Sequence, residues 1–197
     1  MTYKDNYVHT AQLDLDLLEL KLFCESMESF IIKKWGNQSQ NLYQDSCITT
    51  SLHSHYNFLL FPDNQLHTLY LNIQNMFNQI RVHKGSYYIS MWLNMHKKTE
   101  FLNWHSHNKP EENCYHGYFC VNAEPSTTMY KLNEGSTVNV NNKNNQLIIS
   151  RSDGDMHCVT PWNETETRIT LAFDIVPKTI ATNSFIGQDR TNNWIPI

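Results

Sequence analysis

Residues 86–107 read SYYISMWLNMHKKTEFLNWHSH. The first half, up to His96, is short, dense in aromatic and β-branched residues, and free of Pro and Gly, which is strand texture. The same texture recurs in YHGYFCVNAE (115–124), TTMYKL (127–132), STVNV (136–140), NQLIIS (145–150), HCVTPW (157–162) and RITLAFDIV (168–176). Gly, Pro, Asn and Asp separate these runs, so the reading gives seven strands within about ninety residues. The polar NVNNKNNQ is expected to be a hairpin loop.

Upstream of Gly85 the period changes from two to between three and four. In residues 16–35, DLLELKLFCESMESFIIKKW, the apolar positions Leu20, Phe23, Met27, Phe30, Ile31 and Trp35 predict a core-facing helix that Asp16 can cap. In residues 63–85, Leu66, Leu69, Tyr70, Ile73, Phe77 and Ile80 predict a second, with Asp63 or Asn64 as its cap. Two helices followed by regularly spaced strands imply a mainly β fold, a sandwich or barrel with helices packed on one face. A chain of 197 residues is expected to form one domain, with 1–85 helical, 86–176 the β core and 177–197 a tail that Trp194 pins back.

The composition narrows the class of function. Forty per cent of residues are hydrophobic and the net charge is −4, so a phosphate backbone finds no basic surface and nucleic-acid binding is not expected. No apolar run approaches the roughly 20 residues of a membrane span, and the first residues lack the pattern of a signal peptide. The five cysteines are irregularly spaced with no CxxC, which fits reduced thiols and a cytoplasmic location.

His105 and His107 are one residue apart, so in an extended segment both imidazoles point the same way. A third ligand would have to come from another strand, and His157, at the start of HCVTPW, is the candidate. Three imidazoles, or two and a carboxylate, suit Fe(II), Zn or Cu, and open positions favour non-haem Fe(II) chemistry. Arg168 opens the apolar strand RITLAFDIV and shares a face with Thr170. A guanidinium there is costly unless it meets an anion, for which its planar fork suits a carboxylate. The rival reading is a surface salt bridge to Glu164 or Glu166. For Trp104 and Trp162 the choice is between walling the site and packing in the core.

Together, HSH (105–107), MHCVTP (156–161) and RIT (168–170) resemble the signature of the 2-oxoglutarate/Fe(II)-dependent dioxygenases, in particular the bacterial and phage-type relatives of prolyl 4-hydroxylases with H-x-H where others have H-x-D. The likeness spans about residues 86–176. It implies a double-stranded β-helix (a jelly-roll, cupin-like fold) and a hydroxylase that uses O2 and decarboxylates 2-oxoglutarate to succinate. Fe(II) is the implied metal, with His105 as its first ligand and His157 as the distal histidine. His107 falls in the carboxylate's slot and either ligates the metal or stands behind it; alternatively His107 is the first ligand and His105 is not one. Arg168 would bind the far carboxylate of 2-oxoglutarate, Thr170 takes the place of the family's Ser after Arg, and Asn94 and Tyr118 are candidates for the co-substrate's other contacts. Glu111, Glu112 and Asp155 are minor candidates for the missing carboxylate. The substrate would be a peptidyl side chain, proline-like, or a small metabolite. The oligomeric state stays open, a homodimer included. Two other readings compete: a cupin-like metalloprotein that does not use 2-oxoglutarate, and a non-enzymatic jelly-roll module.

Overall fold

The computed structural model describes residues 7–38, 48–107, 112–132, 135–152, 156–187 and 194–197. All seven expected strands are present, divided between two antiparallel sheets. The chain begins with β1 (Val8–Gln12), α1 (Leu17–Trp35), the short α2 (Ile48–Ser51) and α3 (Asn64–Ile80). The strands follow: β2 (Tyr87–His96), β3 (Leu102–Ser106), β4 (Tyr115–Asn122), β5 (Thr127–Lys131), β6 (Thr137–Asn141), β7 (Gln146–Arg151), β8 (Met156–Val159) and β9 (Arg168–Pro177). α4 (Lys178–Gly187) and β10 (Ile195–Pro196) close the chain. The larger sheet has the order β1-β7-β4-β9-β2-β10, and the smaller one β3-β8-β5-β6. From β2 to β5 the strands cross from sheet to sheet, β5 and β6 form a hairpin within the smaller sheet, and from β6 to β9 they cross again, in the winding of a double-stranded β-helix.

Asp16 and Asp63 cap α1 and α3 as expected, each side chain accepting the backbone N–H three residues on. Such a bond satisfies one of the orphan donors at the helix start. On α1 the buried residues are Leu20, Cys24 and Ile31, whereas Phe30 is 44 % exposed and lies edge-on to Trp35 and Phe61. The expected stripe was therefore rotated too far toward solvent. On α3 the buried set is Leu66, Leu69, Ile73 and Phe77, with Tyr70 and Ile80 at its margin. The helices pack on strands of the larger sheet, α1 on β4 and α2 on β2.

This leaves the larger sheet with two different faces. Side chains alternate along a strand. On β9 the odd set Ile169, Leu171, Phe173 and Ile175 is fully buried in the main core with residues of α1 and α3. The even set, Arg168, Thr170, Ala172 and Asp174, lines a cavity between the sheets. Gly117 on β4 permits the close layering, because a Cβ there would meet the Phe173 ring and come within 2.6 Å of the Ile148 carbonyl oxygen.

Two elements were not foreseen at the ends of the chain. β1 adds an outer strand by pairing with β7, and β10 pairs with β2. The tail, read as lacking a period, forms α4, and Trp194 packs against Cys114, Val176 and Ala181 as expected. Among the described residues no helix is long and apolar enough to cross a membrane. Cys24, Cys114, Cys120 and Cys158 are free thiols, and Cys47 lies outside the described residues.

Candidate metal and anion site

The cavity has a volume of about 260 Å³ and is walled by strands of both sheets. Histidines gather at one end and Arg168 sits at the other. β3 runs antiparallel to β8 with His105 directly opposite His157. Their rings are 4.2 Å apart between centroids, and each lies 5.1 Å from the His107 ring. One ligand nitrogen from each of the three falls within 4.8 Å of the other two, close enough for a single ion to gather them. The three candidate ligands thus meet, although they are drawn from two strands and the residue that follows one of them.

The protonation of His105 and His157 suits a metal. Burial, and then the neighbouring His107, pushes His105 down to about 4, and the same two causes push His116 down to about 4. Burial, followed by His116, His105 and His107, also holds His157 well below the ordinary histidine range. Neutral rings are the form that binds metals. His105 Nδ1 lies 2.8 Å from the Asn103 carbonyl oxygen, which can only accept, so Nδ1 carries the proton and Nε2 is left for an ion. His107 Nε2 is buried and has no hydrogen-bond partner. Leaving such a nitrogen unsatisfied is costly, and a cation at that point would satisfy it.

Two members of the cluster escaped the sequence reading. His116 on β4 stacks on His107 at 4.2 Å and on His157 at 4.5 Å. Asp174 on β9 lies beneath both His107 and His116, and His107, His116 and Asp174 form a second group of potential ligands within 4.8 Å of one another. Of the minor carboxylate candidates, Glu112 belongs to neither group, while Glu111 and Asp155 lie outside the described residues.

Arg168 is 2 % exposed, which removes the surface salt-bridge reading. Glu166 instead pairs with Lys21 at 2.6 Å, and Glu164 is exposed. Neutral groups hold part of the guanidinium: Nε donates to Ser126 Oγ at 3.0 Å, and Nη1 donates to Thr170 Oγ1 at 3.4 Å and lies 3.5 Å from His96 Nδ1. Burial, and then Arg168, pushes His96 down to about 3, so it is neutral and can accept that bond. Ser126 in turn accepts from Asn142 Nδ2 at 2.9 Å, and Asn142 Oδ1 accepts from the Tyr118 hydroxyl at 2.9 Å. Arg168, Thr170, Asn94 and Tyr118, all expected near a co-substrate, therefore share one wall, and Asn94 Oδ1 is tied to Thr50 Oγ1 at 2.5 Å. Ser126, Thr128 and Asn142 belong to the same network and were not foreseen.

Neither tryptophan singled out from the sequence walls the cavity. Trp104 is 40 % exposed, and Trp162 is buried with its indole N–H donated to the Glu166 carbonyl. Trp92 takes that place, its ring parallel to His107.

The chain matches no protein-family model and no curated protein sequence. Its fold is that of solved oxygenases. It aligns with a Pseudomonas putida prolyl-4-hydroxylase at 10 % identity and a TM-score of 0.57, over 89 % of this chain and 88 % of that one. A Trichoplax adhaerens prolyl hydroxylase, in complex with a hypoxia-inducible-factor peptide fragment, aligns at 11 % and 0.57 over 92 % and 88 %. An α-ketoglutarate-dependent carbocyclase of nogalamycin biosynthesis aligns at 9 % and 0.58 over 89 % and 81 %. This chain is thus a double-stranded β-helix protein with the architecture of prolyl hydroxylases and their oxygenase kin.

Proposed function

We propose that the protein is a 2-oxoglutarate- and Fe(II)-dependent dioxygenase that hydroxylates a C–H bond. The observation that carries this reading is one cavity with three converging histidines at one end and a buried guanidinium at the other. A non-enzymatic module has no use for either end. A metal site that ignores 2-oxoglutarate has no use for Arg168, whose desolvation costs several kcal/mol by the usual scale for buried ions.

His105, His107 and His157 would hold the iron. Arg168, with Thr170 beside it, would take the far carboxylate of 2-oxoglutarate through a planar fork. Asn94 and Tyr118 line the wall between and would position the rest of the co-substrate. When bound, iron and 2-oxoglutarate would activate O2, one oxygen atom ending in succinate as CO2 leaves and the other entering the C–H bond. The chain's own part is to place the C–H bond and keep water out, with Trp92, Leu102 and Val159 as apolar walls. At about 260 Å³ the cavity is at the small end of ligand pockets, roughly 300–1,000 Å³. That supports a small substrate or a single peptidyl side chain, proline-like as in the peptide-bound prolyl hydroxylase, over a bulky metabolite.

Anaerobic titration with Fe(II), with and without 2-oxoglutarate, tests the reading. The expected result is a weak visible charge-transfer band that needs both partners and disappears in Arg168→Ala. Iron binding indifferent to 2-oxoglutarate would leave a metalloprotein of another kind, and no iron binding would leave a structural module.

A further inference from the structure

An H-x-H motif puts a neutral ligand where the resemblance has a carboxylate. In this fold a carboxylate is nevertheless present at the cluster. Asp174 is six residues after Arg168 on β9 and on the same face, so it stands roughly 20 Å along the strand, at the histidine end of the cavity. β4 pairs with β9 so that His116 is directly opposite Asp174. His107 Nδ1 lies 3.0 Å from one Asp174 oxygen and 3.2 Å from the other, and His116 Nδ1 lies 3.3 Å from the first.

Resting on the iron reading above, we infer that Asp174 is the carboxylate missing from H-x-H, acting one hydrogen bond away from the metal: it accepts Nδ1–H from His107 and His116 and turns the bare Nε2 of His107 to the ion. An ionised carboxylate only accepts, so both histidines must carry their proton on Nδ1. A neutral imidazole has one N–H, so both Nε2 atoms keep their lone pairs. For His107 this is the nitrogen that is buried without a partner. His105 is driven to the same tautomer by the Asn103 carbonyl. Both imidazoles of the motif therefore offer Nε2, and the Ser152 hydroxyl further anchors His107 through its backbone carbonyl at 2.6 Å. Carboxylate–histidine–metal chains of this kind fix ring orientation and raise ligand basicity. Asp174 is a positioning residue in this scheme. His116 is a second imidazole held by the same carboxylate at the cavity wall.

The rival arrangement places the ion directly on His107, His116 and Asp174, a set of two histidines and one carboxylate. In that case the ion displaces the two protons, and His105 and His157 become dispensable.

Two measurements decide the matter. Long-range proton–nitrogen correlation on the metal-free protein reads the tautomers. Wild type should show Nδ1–H on His107 and His116; Asp174→Ala should lose that preference, and Asp174→Asn, which keeps an acceptor oxygen, should retain it for at least one ring. Anaerobic Fe(II) titration should then show affinity weaker by about 10–100-fold in Asp174→Ala, as for other outer partners of metal ligands, with a smaller loss in Asp174→Asn and near-complete loss in a His105→Ala/His157→Ala double variant. A double variant that binds Fe(II) as wild type does would move the ion onto Asp174 and overturn the inference. So would Asp174→Ala with unchanged tautomers and affinity. Wild-type protein that takes no Fe(II) would sink the iron reading itself, whereas the tautomers of the metal-free protein would still decide what Asp174 does.

Discussion

Acidification should destabilise the metal-free protein through its histidine cluster, and the size of the effect can be worked out. His105 and His116 each have a folded pKa of about 4 against an ordinary 6.5. A histidine whose folded pKa is depressed binds its proton more weakly when folded than when unfolded, so stability is complete above about pH 6.5 and falls as pH drops toward 4. At pH 5.5 the unfolded chain gains about 1.4 kcal/mol per such histidine, one unit below its pKa, while the folded rings stay neutral. The two together cost about 2–3 kcal/mol between pH 7.5 and 5.5, worth roughly 5–10 °C in melting temperature for a chain of this size. His157 and His96 are also depressed and push in the same direction, so the two residues are isolated by comparison with a His105→Gln/His116→Gln variant. Asp174 acts in a different window. Burial raises its pKa, but His107 and His116 outweigh burial and hold it well below the usual carboxylate range, so its contribution is lost only in stronger acid. The assay is urea unfolding at both pH values with chelator present. If wild type and the double variant lose the same stability between pH 7.5 and 5.5, the cluster is not held neutral by the fold and the argument fails.

Three further outcomes follow from the packing and the hydrogen bonds. Gly117→Ala should destabilise by about 1–3 kcal/mol, the usual cost of overpacking, because the new Cβ meets both the Phe173 ring and the Ile148 carbonyl; Phe173→Leu in the same chain should recover part of the loss in a thermal melt. Asn142→Ala should lower stability by about 1–3 kcal/mol, since it strips partners from the Tyr118 and Ser126 hydroxyls, and it should also weaken 2-oxoglutarate binding by loosening the seat of Arg168. Arg168→Lys should keep the charge yet lose the fork, so a 2-oxoglutarate titration of the iron-loaded protein should show clearly weaker binding than wild type while Fe(II) affinity is unchanged.

Which features could be read from the chain depends on how local their cause is. Seven of the eight strands from Tyr87 to Pro177, all but β3, were legible because each is a run of β-branched and aromatic residues cut by turn formers. β1 escaped because VHTAQ is half polar and sits beside a strong helical signal; its strand character comes from pairing with β7, over 130 residues away. α4, with sequence KTIATNSFIG, has no helical stripe to detect. The same distinction divides the site. His105 and His107 are related by local alternation, and His157 and Arg168 follow in the order of a known signature. His116 meets Asp174 only through the β4–β9 register, 58 positions apart in the chain. One signal was available for Asp174: an acidic residue inside the apolar run RITLAFDIV, three alternations from Arg168 on the face already assigned to the cavity.

The placement of Asp174 also bears on how the proposed three-histidine site can be tolerated between the two sheets. Exchanging a ligating carboxylate for a neutral imidazole leaves the buried site one positive charge richer, and uncompensated charge in a low-dielectric interior is expensive. Within the proposed centre, a divalent iron and the Arg168 guanidinium face a dianionic co-substrate and the Asp174 carboxylate, so the formal charges cancel. Without Asp174 they would not. The compensating charge need not touch the metal, since at short range in such a medium a carboxylate one imidazole away still acts strongly on the ion. Its position differs in consequence, however. A carboxylate on the metal occupies a coordination site and donates directly, whereas one behind His107 adjusts the basicity and aim of that ligand. On this argument Asp174→Asn removes the compensating charge while keeping an acceptor, so it should weaken binding of the bare divalent ion most, and binding of the ion as a neutral chelate with the co-substrate much less. Comparing Fe(II) affinity of Asp174→Asn with and without 2-oxoglutarate reads that difference. Equal losses in both states would show that Asp174 acts through geometry alone and not through its charge.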